Sequence, residues 1–504
     1  MNKSVVLSIL FSVCTVIGYA QQSKPNIIYI LADDLGYGDV SIYNKEGKIN
    51  TPNIDKLAKQ GMRFTDAHTT SGVCTPTRYS VMTGRYPWRS RLPQGVLNGY
   101  SRPLIENDRA TVASLLKKYG YNTGVVGKWH LGLGWPMKAG NEEQLKNPNF
   151  GILKEVDTTM IDFGKDFTST PNTIGFDYSF VIPASLDMPP YGFVENMKFA
   201  EPITSYTKGQ KPDTGYAGAF WRGGRMSPAF DFYQVIPTFE NKANDFIKKQ
   251  KAEKPFFLYL PFPAPHTPWV PQSSAQGKSN VGEYGDFVQQ LDATVGKLMH
   301  TLDSMGLAKN TIVVFTSDNG PYWRSDYVSK YNHTSAGEFR GMKGDAYEAG
   351  HRVPFIVKWP GKVKPGVTSD ATISLASLYA TSADIVGATD KVVMPEDSYS
   401  IMSVLLGKSK NIEEQPAITV TSSIGYLMIR QGDWKLIQGL GSGGFTQPKQ
   451  IKPVPGGPTG QLFNLKEDPK EEHDLYLARP DMVKQLTDEL NRIKQATTRL
   501  QKVK

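Results

Sequence analysis

Four apolar runs in this 504-residue chain each end in polar groups capable of chemistry. "NIIYILADD" ends in Asp33 and Asp34, and "NTGVVGKWH" ends in Lys128 and His130. "PFFLYLPFPAPH" runs to His266, and "TIVVFTSDNG" runs to Asp318 and Asn319. Taken alone, an acidic pair or a DNG tripeptide reads as a turn. The shared placement reads differently, because ligands of open α/β sheets bind beyond the carboxyl ends of the strands. Asp33, Asp34, Asp318 and Asn319 make an all-oxygen set. Such donors suit Ca²⁺ or Mg²⁺ and argue against zinc.

A further stretch, "SGVCTPTRYSVMTGR", holds Cys74, the only cysteine beyond the first twenty residues. A solitary cysteine ordinarily packs as a small hydrophobe. Here its neighbours Ser71, Gly72, Thr75 and Pro76 are wrong for a core. Pro76 suits the first turn of a helix that continues to a stop at Gly84. Cys74 then sits at a helix N-terminus, where the dipole and free N–H groups favour anions. Arg78, on the first turn, points back towards the same place.

The elements that must position these groups alternate between strand-like and helix-like. Continuous apolar runs suit strands buried on both faces. Between them, "TPNIDKLAKQG" offers Thr51 as N-cap, Pro52 as first residue and Gly61 as stop. "RATVASLLKKYG" ends at Gly120 in the same way, and residues 236–250 and 284–306 are amphipathic. This alternation predicts an α/β fold built on a mostly parallel sheet. The pattern changes after about residue 415, where "AITVTSSIGYLMIRQGDWKLIQ" alternates like a hairpin. A Gly/Pro-rich loop and an amphipathic helix from about Pro480 follow. The expected organisation is a signal peptide over 1–20, a catalytic domain over 21–414 and a small C-terminal α+β subdomain over 415–504.

The N-terminal expectation rests on Lys3, an apolar run and the small residues Gly18 to Ala20. That run is too short to span a bilayer, and Val13 is a poor neighbour for lipoprotein anchoring at Cys14. The mature chain is expected to be exported, periplasmic or secreted, with no membrane span. Composition is that of an ordinary globular protein, 39% hydrophobic and 21% charged. The net charge of +9 reads as a basic surface that aids solubility or as a preference for anionic substrates or partners. No Lys/Arg run is dense enough to suggest nucleic acid.

Cys74, Pro76 and Arg78 form a C-x-P-x-R pattern extended by "MTGR" to Arg85. It resembles the signature of the type I sulfatases, formylglycine-dependent members of the alkaline phosphatase superfamily. "GYNTGVVGKWH", residues 120–130, resembles their second signature. "NIIYILADDLGYGD" and "FTSDNG" are similar to the two metal strands of the family. "FRGMKGDAYEAGHRVPF" (339–355) resembles the basic segment that follows, and "LFNLKEDPKEEHDL" (462–475) the C-terminal subdomain. The resemblance runs in order through almost the whole chain beyond the signal peptide. His351 departs from the apolar or small residue expected in "AGHRVPF", and the sequence gives no reason for it.

The resemblance implies an alkaline-phosphatase-like fold and a Cys74 oxidised to formylglycine by a formylglycine-generating enzyme. It implies one Ca²⁺ at Asp33, Asp34, Asp318 and Asn319, touched by residue 74. A sulfate ester needs a nucleophile, charge neutralisation and a proton for its leaving oxygen. Lys128 and Lys343 would hold sulfate oxygens, Arg78 would fix the hydrated aldehyde, His266 would protonate the leaving oxygen and His130 would deprotonate the hydrate. Ser185, in "IPASLDMPPYGFVEN", resembles a further sulfate contact. The expected substrate is a sulfated carbohydrate carrying galactose or N-acetylgalactosamine sulfate. Trp135, Arg222, Trp323, Arg324 and His333 lie in loops near the motifs and are expected sugar contacts. A phosphonate monoester or phosphodiester hydrolase of the same superfamily is the nearest alternative. A non-catalytic binder of sulfated glycans is an alternative of another class.

Overall fold

The computed structural model describes residues 24–146, 151–213 and 215–500. The expected signal peptide lies outside these residues. Strands β1 (Asn26–Asp33), β2 (Met62–Phe64), β3 (Asn122–Lys128), β4 (Tyr178–Ile182), β5 (Val194–Glu195) and β6 (Lys198–Phe199) come first. β7 (Phe256–Pro265), β8 (Thr311–Ser317), β9 (Phe355–Lys358) and β10 (Val367–Ser369) complete a ten-stranded sheet. Its order is β10-β2-β9-β8-β1-β7-β3-β4-β5-β6. From β8 through β4 the central strands all run parallel. Every residue of β1, β7 and β8 is buried, as the apolar runs require.

Helices α1 (Pro52–Lys59), α2 (Cys74–Thr83), α3 (Val112–Lys118), α4 (Val235–Lys248), α5 (Gly282–Ser304) and α6 (Leu378–Ile385) cover the sheet. The strand period of two divides them between its faces. Ile28, Ile30 and Ala32 of β1 share a core with α1, α4 and α5. Ile27, Tyr29 and Leu31 share the opposite core with α2, α3 and α6. The cap expected of Thr51 comes from elsewhere: Asp292 of α5 accepts from the backbone N–H of Asn53 and Ile54 at 3.0 and 2.8 Å. Among the described residues no helix is long and apolar enough to cross a membrane.

A second, antiparallel sheet follows the large one. Its strands β11 (Ile418–Thr421), β12 (Leu427–Gln431), β13 (Trp434–Ile437) and β14 (Gln461–Asn464) lie in sequence order. The stretch expected as a hairpin is therefore three strands of a meander. Helix α7 (Pro480–Gln495) packs Leu486, Leu490 and Ile493 on Ile429, Leu436 and Leu462. The other face sets Val420, Met428, Ile437 and Phe463 against Ala346 and Tyr347, just beyond Lys343.

The two sheets are also joined by a buried polar chain, which explains His351. Lys435 Nζ lies 3.2 Å from His351 Nε2. His351 Nδ1 lies 3.0 Å from His68 Nδ1, and His68 Nε2 lies 2.9 Å from Asp66 Oδ1. His351 Nε2 also lies 3.3 Å from the Ala346 carbonyl, and His68 Nε2 3.4 Å from Arg430 Nη1. In the arrangement that suits the lowered pKa of both rings, Lys435 donates to His351, His351 to His68, and His68 to Asp66. Both rings are then neutral. Burial holds the pKa of each below its ordinary value, and Lys435 lowers His351 further. Glu348, Glu471, Arg352 and Arg430 complete the cluster. His68, Glu348 and His351 are close enough together to hold a metal, but Lys435 already lies against two of these three.

A histidine that refuses a proton when folded makes stability depend on pH. Its contribution is complete above the unfolded value of about 6.5 and is lost as pH falls below it. The loss approaches ~1.4 kcal/mol per pH unit for each such group. His351→Asn keeps a donor towards His68 and removes the titration. From pH 7 to 5, stability from urea unfolding should fall less steeply in this variant than in the wild type. Parallel curves would show that His351 is not held neutral.

Candidate active site

The sheet order explains why groups far apart in sequence meet. β8, β1, β7 and β3 are adjacent and parallel, so their carboxyl ends lie side by side. Asp33 and Lys128 are the last residues of β1 and β3, and His266 and Asp318 directly follow β7 and β8. Asp34 and His130 take left-handed φ values of 63° and 56°, which non-glycine residues adopt only when their surroundings hold them there. Cys74 opens α2, whose ten residues are all buried and which stops at Gly84 with φ 70°.

Three carboxylates and three cations interlock at this point. The Arg78 fork sets Nε and Nη2 2.9 and 2.7 Å from Asp318 Oδ2, and Nη1 donates to the Lys128 carbonyl at 2.9 Å. Lys128 Nζ is 2.6 Å from Asp33 Oδ2 and 3.2 Å from Ser185 Oγ. Lys343 Nζ is 2.8 Å from Asp34 Oδ2, and Asn319 Nδ2 donates to Asp34 Oδ1 at 2.6 Å. Burial works to raise Asp33, yet the charges of Lys128, His266 and Arg78 hold it well below the usual carboxylate range. Burial and the charge of Asp33 push Asp318 up to about 7.

Two oxygens in this cluster accept no hydrogen bond, although Arg78 Nη2 stands 3.6 Å from one of them, Asp33 Oδ1. Asp33 Oδ1 and Asn319 Oδ1 are buried without a hydrogen bond. Ligand atoms of Asp33, Cys74 and Asp318 lie within 4.8 Å of one another, as do those of Asp33, Asp34 and His266. Orphaned oxygens between like-charged carboxylates are what a hard divalent cation satisfies, so the residues fit one. The Cys74 thiol is pushed up by burial, which leaves the unmodified side chain a poor nucleophile.

The two histidines are wired differently. His130 Nε2 lies 2.7 Å from the Leu97 carbonyl and must donate to it. Its Nδ1 keeps a lone pair and is buried without a partner. Burial, Lys128 and Arg78 hold this ring neutral, the form of a base. His266 Nδ1 donates to the Thr267 carbonyl at 2.5 Å, with Ser185 Oγ at 3.3 Å. Its Nε2 faces Tyr216 Oη at 3.2 Å and Asp34 Oδ2 at 3.8 Å. Burial and Lys343 lower its pKa, while Asp34 and Asp33 oppose them.

A cavity of about 660 Å³ opens over these groups. Cys74, His130, Ser185, His266 and Lys343 line its floor, and Arg222 and Arg324 line its exposed rim. Three residues expected as sugar contacts lie elsewhere. Trp135 is buried among Tyr100, Phe163 and Phe167 and donates to the Ser101 carbonyl at 3.2 Å. Trp323 packs on Trp269 and Tyr284 and donates to the His333 carbonyl at 2.9 Å. His333 is buried, with Nε2 2.8 Å from Asp39 Oδ1 and Nδ1 accepting from the Lys48 N–H. The sequence reading missed Tyr216, Phe445, Gln447 and Lys449, which line the cavity. The last three stand in the Gly/Pro-rich loop, whose length between β13 and β14 was the available signal.

The family described as Sulfatase matches residues 25–388. The chain is 37% identical to the N-acetylgalactosamine-6-O-sulfatase of Bacteroides thetaiotaomicron, over 94% of this chain and 93% of that one. It is 32% identical to arylsulfatase A of Bos taurus, over 91% and 84%. A solved structure reported under the metabolism of multiple glycosaminoglycans by Bacteroides thetaiotaomicron aligns with a TM-score of 0.77. That alignment has 35% identity and covers 94% of this chain and 100% of that one. The chain belongs to the sulfatase family and is a sulfuric ester hydrolase.

Proposed function

We propose that this sulfatase removes sulfate from galactose or N-acetylgalactosamine units of sulfated glycans, with residue 74 as formylglycine and Ca²⁺ as its metal. The observation that carries the reading is the contrast between two buried histidines over one cavity floor. His130 keeps a free lone pair, whereas His266 turns Nε2 to the side where Tyr216 and Asp34 lie. The relative named N-acetylgalactosamine-6-O-sulfatase supports the choice of sugar. An exported chain with residues 1–20 as signal peptide would meet a formylglycine-generating enzyme during maturation. Residues 21–414 would form the catalytic domain and 415–504 the subdomain.

Bound by Asp33, Asp34, Asp318 and Asn319, Ca²⁺ would neutralise charge and lower the pKa of a hydroxyl beside it. As hydrated formylglycine, residue 74 would offer one hydroxyl to attack sulfur and a second to release sulfate. Arg78 orients that side chain while its fork stays on Asp318. Lys128, Lys343 and Ser185 bind sulfate oxygens, with the ammonium groups acting as point charges. His130 Nδ1 takes the proton from residue 74. His266 Nε2 gives a proton to the leaving sugar oxygen. A bound sulfate ester adds negative charge beside His266 and favours its protonated form.

General acid catalysis matters most for a basic leaving group. His266→Ala should lower kcat/KM for sugar sulfates by about 10²–10⁴-fold and cost much less on an activated aryl sulfate. His130→Ala should slow both substrates. Equal losses for His266→Ala on the two would make His266 a sulfate-binding residue and not the acid. The metal reading is tested by thermal unfolding with a chelator. Removing Ca²⁺ should lower Tm and adding it back should restore Tm, by about 2.7 kcal/mol of stability at 100 times Kd. An unchanged Tm would sink the metal assignment. Mass spectrometry of the peptide containing residue 74 from active protein should find an aldehyde in place of the thiol, and a fully intact cysteine there would overturn the proposed nucleophile.

A further inference from the structure

We propose that the rim of the catalytic cavity is a subsite for a second anionic group, carried by the sugar next to the one that loses its sulfate. This rests on the carbohydrate-sulfate reading above and adds a substrate class to it. Four of the described residues lining the cavity are cationic, namely Arg222, Arg324, Lys343 and Lys449, and none is acidic. Lys343 is engaged with Asp34 at the floor. There Arg78 pairs with Asp318, Lys128 with Asp33 and Lys343 with Asp34. Arg222, Arg324 and Lys449 stand outside this cluster, exposed at the rim. Arg222 pairs with Asp187 and Arg324 with Asp326. Lys449 is exposed and, among the described residues, forms no ion pair.

The wall that carries Lys449 is built firmly. Phe445 and Thr446 donate their backbone N–H groups to Asp345 Oδ1 at 2.7 and 3.1 Å. Asp345 Oδ2 accepts the Met342 N–H at 2.9 Å, so one carboxylate ties this loop to the segment carrying Lys343. A Cβ on Gly444 would stand 2.2 Å from the Gly344 backbone, so only glycine allows this approach. The Gly443 N–H donates to the Lys449 carbonyl at 2.8 Å, which closes the loop on itself. Phe445 is held 39% exposed, with its ring edge-on to Tyr322 at 5.9 Å. An exposed ring and an unpaired ammonium lining one cavity match a pyranose that bears an anion: the ring face stacks and the charge pairs. The cavity volume is in the range that encloses a ligand larger than one sulfated ring.

The anion is a uronate carboxylate or a second sulfate, and three matched disaccharides separate these sources. Each carries the same cleavable sulfate, and its neighbouring sugar is neutral, a uronate or sulfated. The wild-type enzyme should prefer at least one charged disaccharide over the neutral one by roughly three- to tenfold in kcat/KM, falling as salt is added. Lys449→Glu should bring that ratio to one or below at an unchanged Tm. Phe445→Ala should lower the ratio of neutral disaccharide to sulfated monosaccharide turnover. Turnover of all three disaccharides at one rate, or an unchanged ratio in Lys449→Glu, overturns the subsite while leaving sulfatase activity on the monosaccharide intact. Failure to cleave any sulfated sugar, with aryl sulfate still cleaved, overturns the carbohydrate reading and the subsite with it.

Discussion

Three carboxylates side by side in a protein interior must be answered by positive charge, because an unpaired buried charge costs several kcal/mol. Asp33, Asp34 and Asp318 impose that demand here. The rest of the site follows from the answer. Arg78, the fifth residue of α2, must set its fork on Asp318, which aims the α2 N-terminus, and so Cys74, at the cluster. Lys128 must end β3 beside Asp33, which fixes β3 within reach of β1 across β7. Lys343 must reach Asp34 from a segment that the small sheet buttresses through Ala346 and Tyr347. Even so, Asp33 Oδ1 and Asn319 Oδ1 remain without a hydrogen bond. The protein's own cations leave part of the demand open, at the point where a metal would complete it.

The second buried cluster solves a related problem without a metal. Lys435 stands against Glu348 and Glu471 at 3.0 and 2.7 Å and lies 3.2 Å from His351 Nε2. A long, flexible ammonium there makes the small sheet a fixed partner of the segment that carries Lys343. Removing one partner of such a network leaves an uncompensated charge, so its members act as a unit. The link matters for function because the loop between β13 and β14 delivers Phe445 and Lys449 to the cavity.

The floor of the site was legible in the sequence, and most of its rim was not. Strand ends are readable because a buried parallel strand is a continuous apolar run, and the first polar residue after it must lie at the sheet edge. That logic, with the motif around Cys74, located Asp33, Lys128, His266 and Asp318. Trp135, Trp323 and His333 lie beside the same motifs but point into cores. Chain proximity cannot say which way a loop residue faces, and Asp39 in particular draws His333 inward. The capping of α1 by Asp292 and the neutral pairing of His68 with His351 were hidden for the same reason. Each partner lies over 230 residues away, and no local pattern encodes it.

The contrast between floor and rim divides the work of the enzyme. Groups at the ends of central strands are held by backbone ladders on both sides, and such elements place reacting atoms more firmly than loops do. Rim groups on loops are freer to differ, and loops are where binding specificity is commonly carried. Here the two are not independent. Asp345 accepts from Met342, next to Lys343, and from Phe445 and Thr446 of the rim loop. A displacement of Phe445 or Lys449 is therefore transmitted to the backbone that presents Lys343. In the proposed roles of these residues, recognition of the neighbouring sugar and the grip on sulfate would share one carboxylate, so that contacts remote from sulfur would bear on the position of a group that touches it.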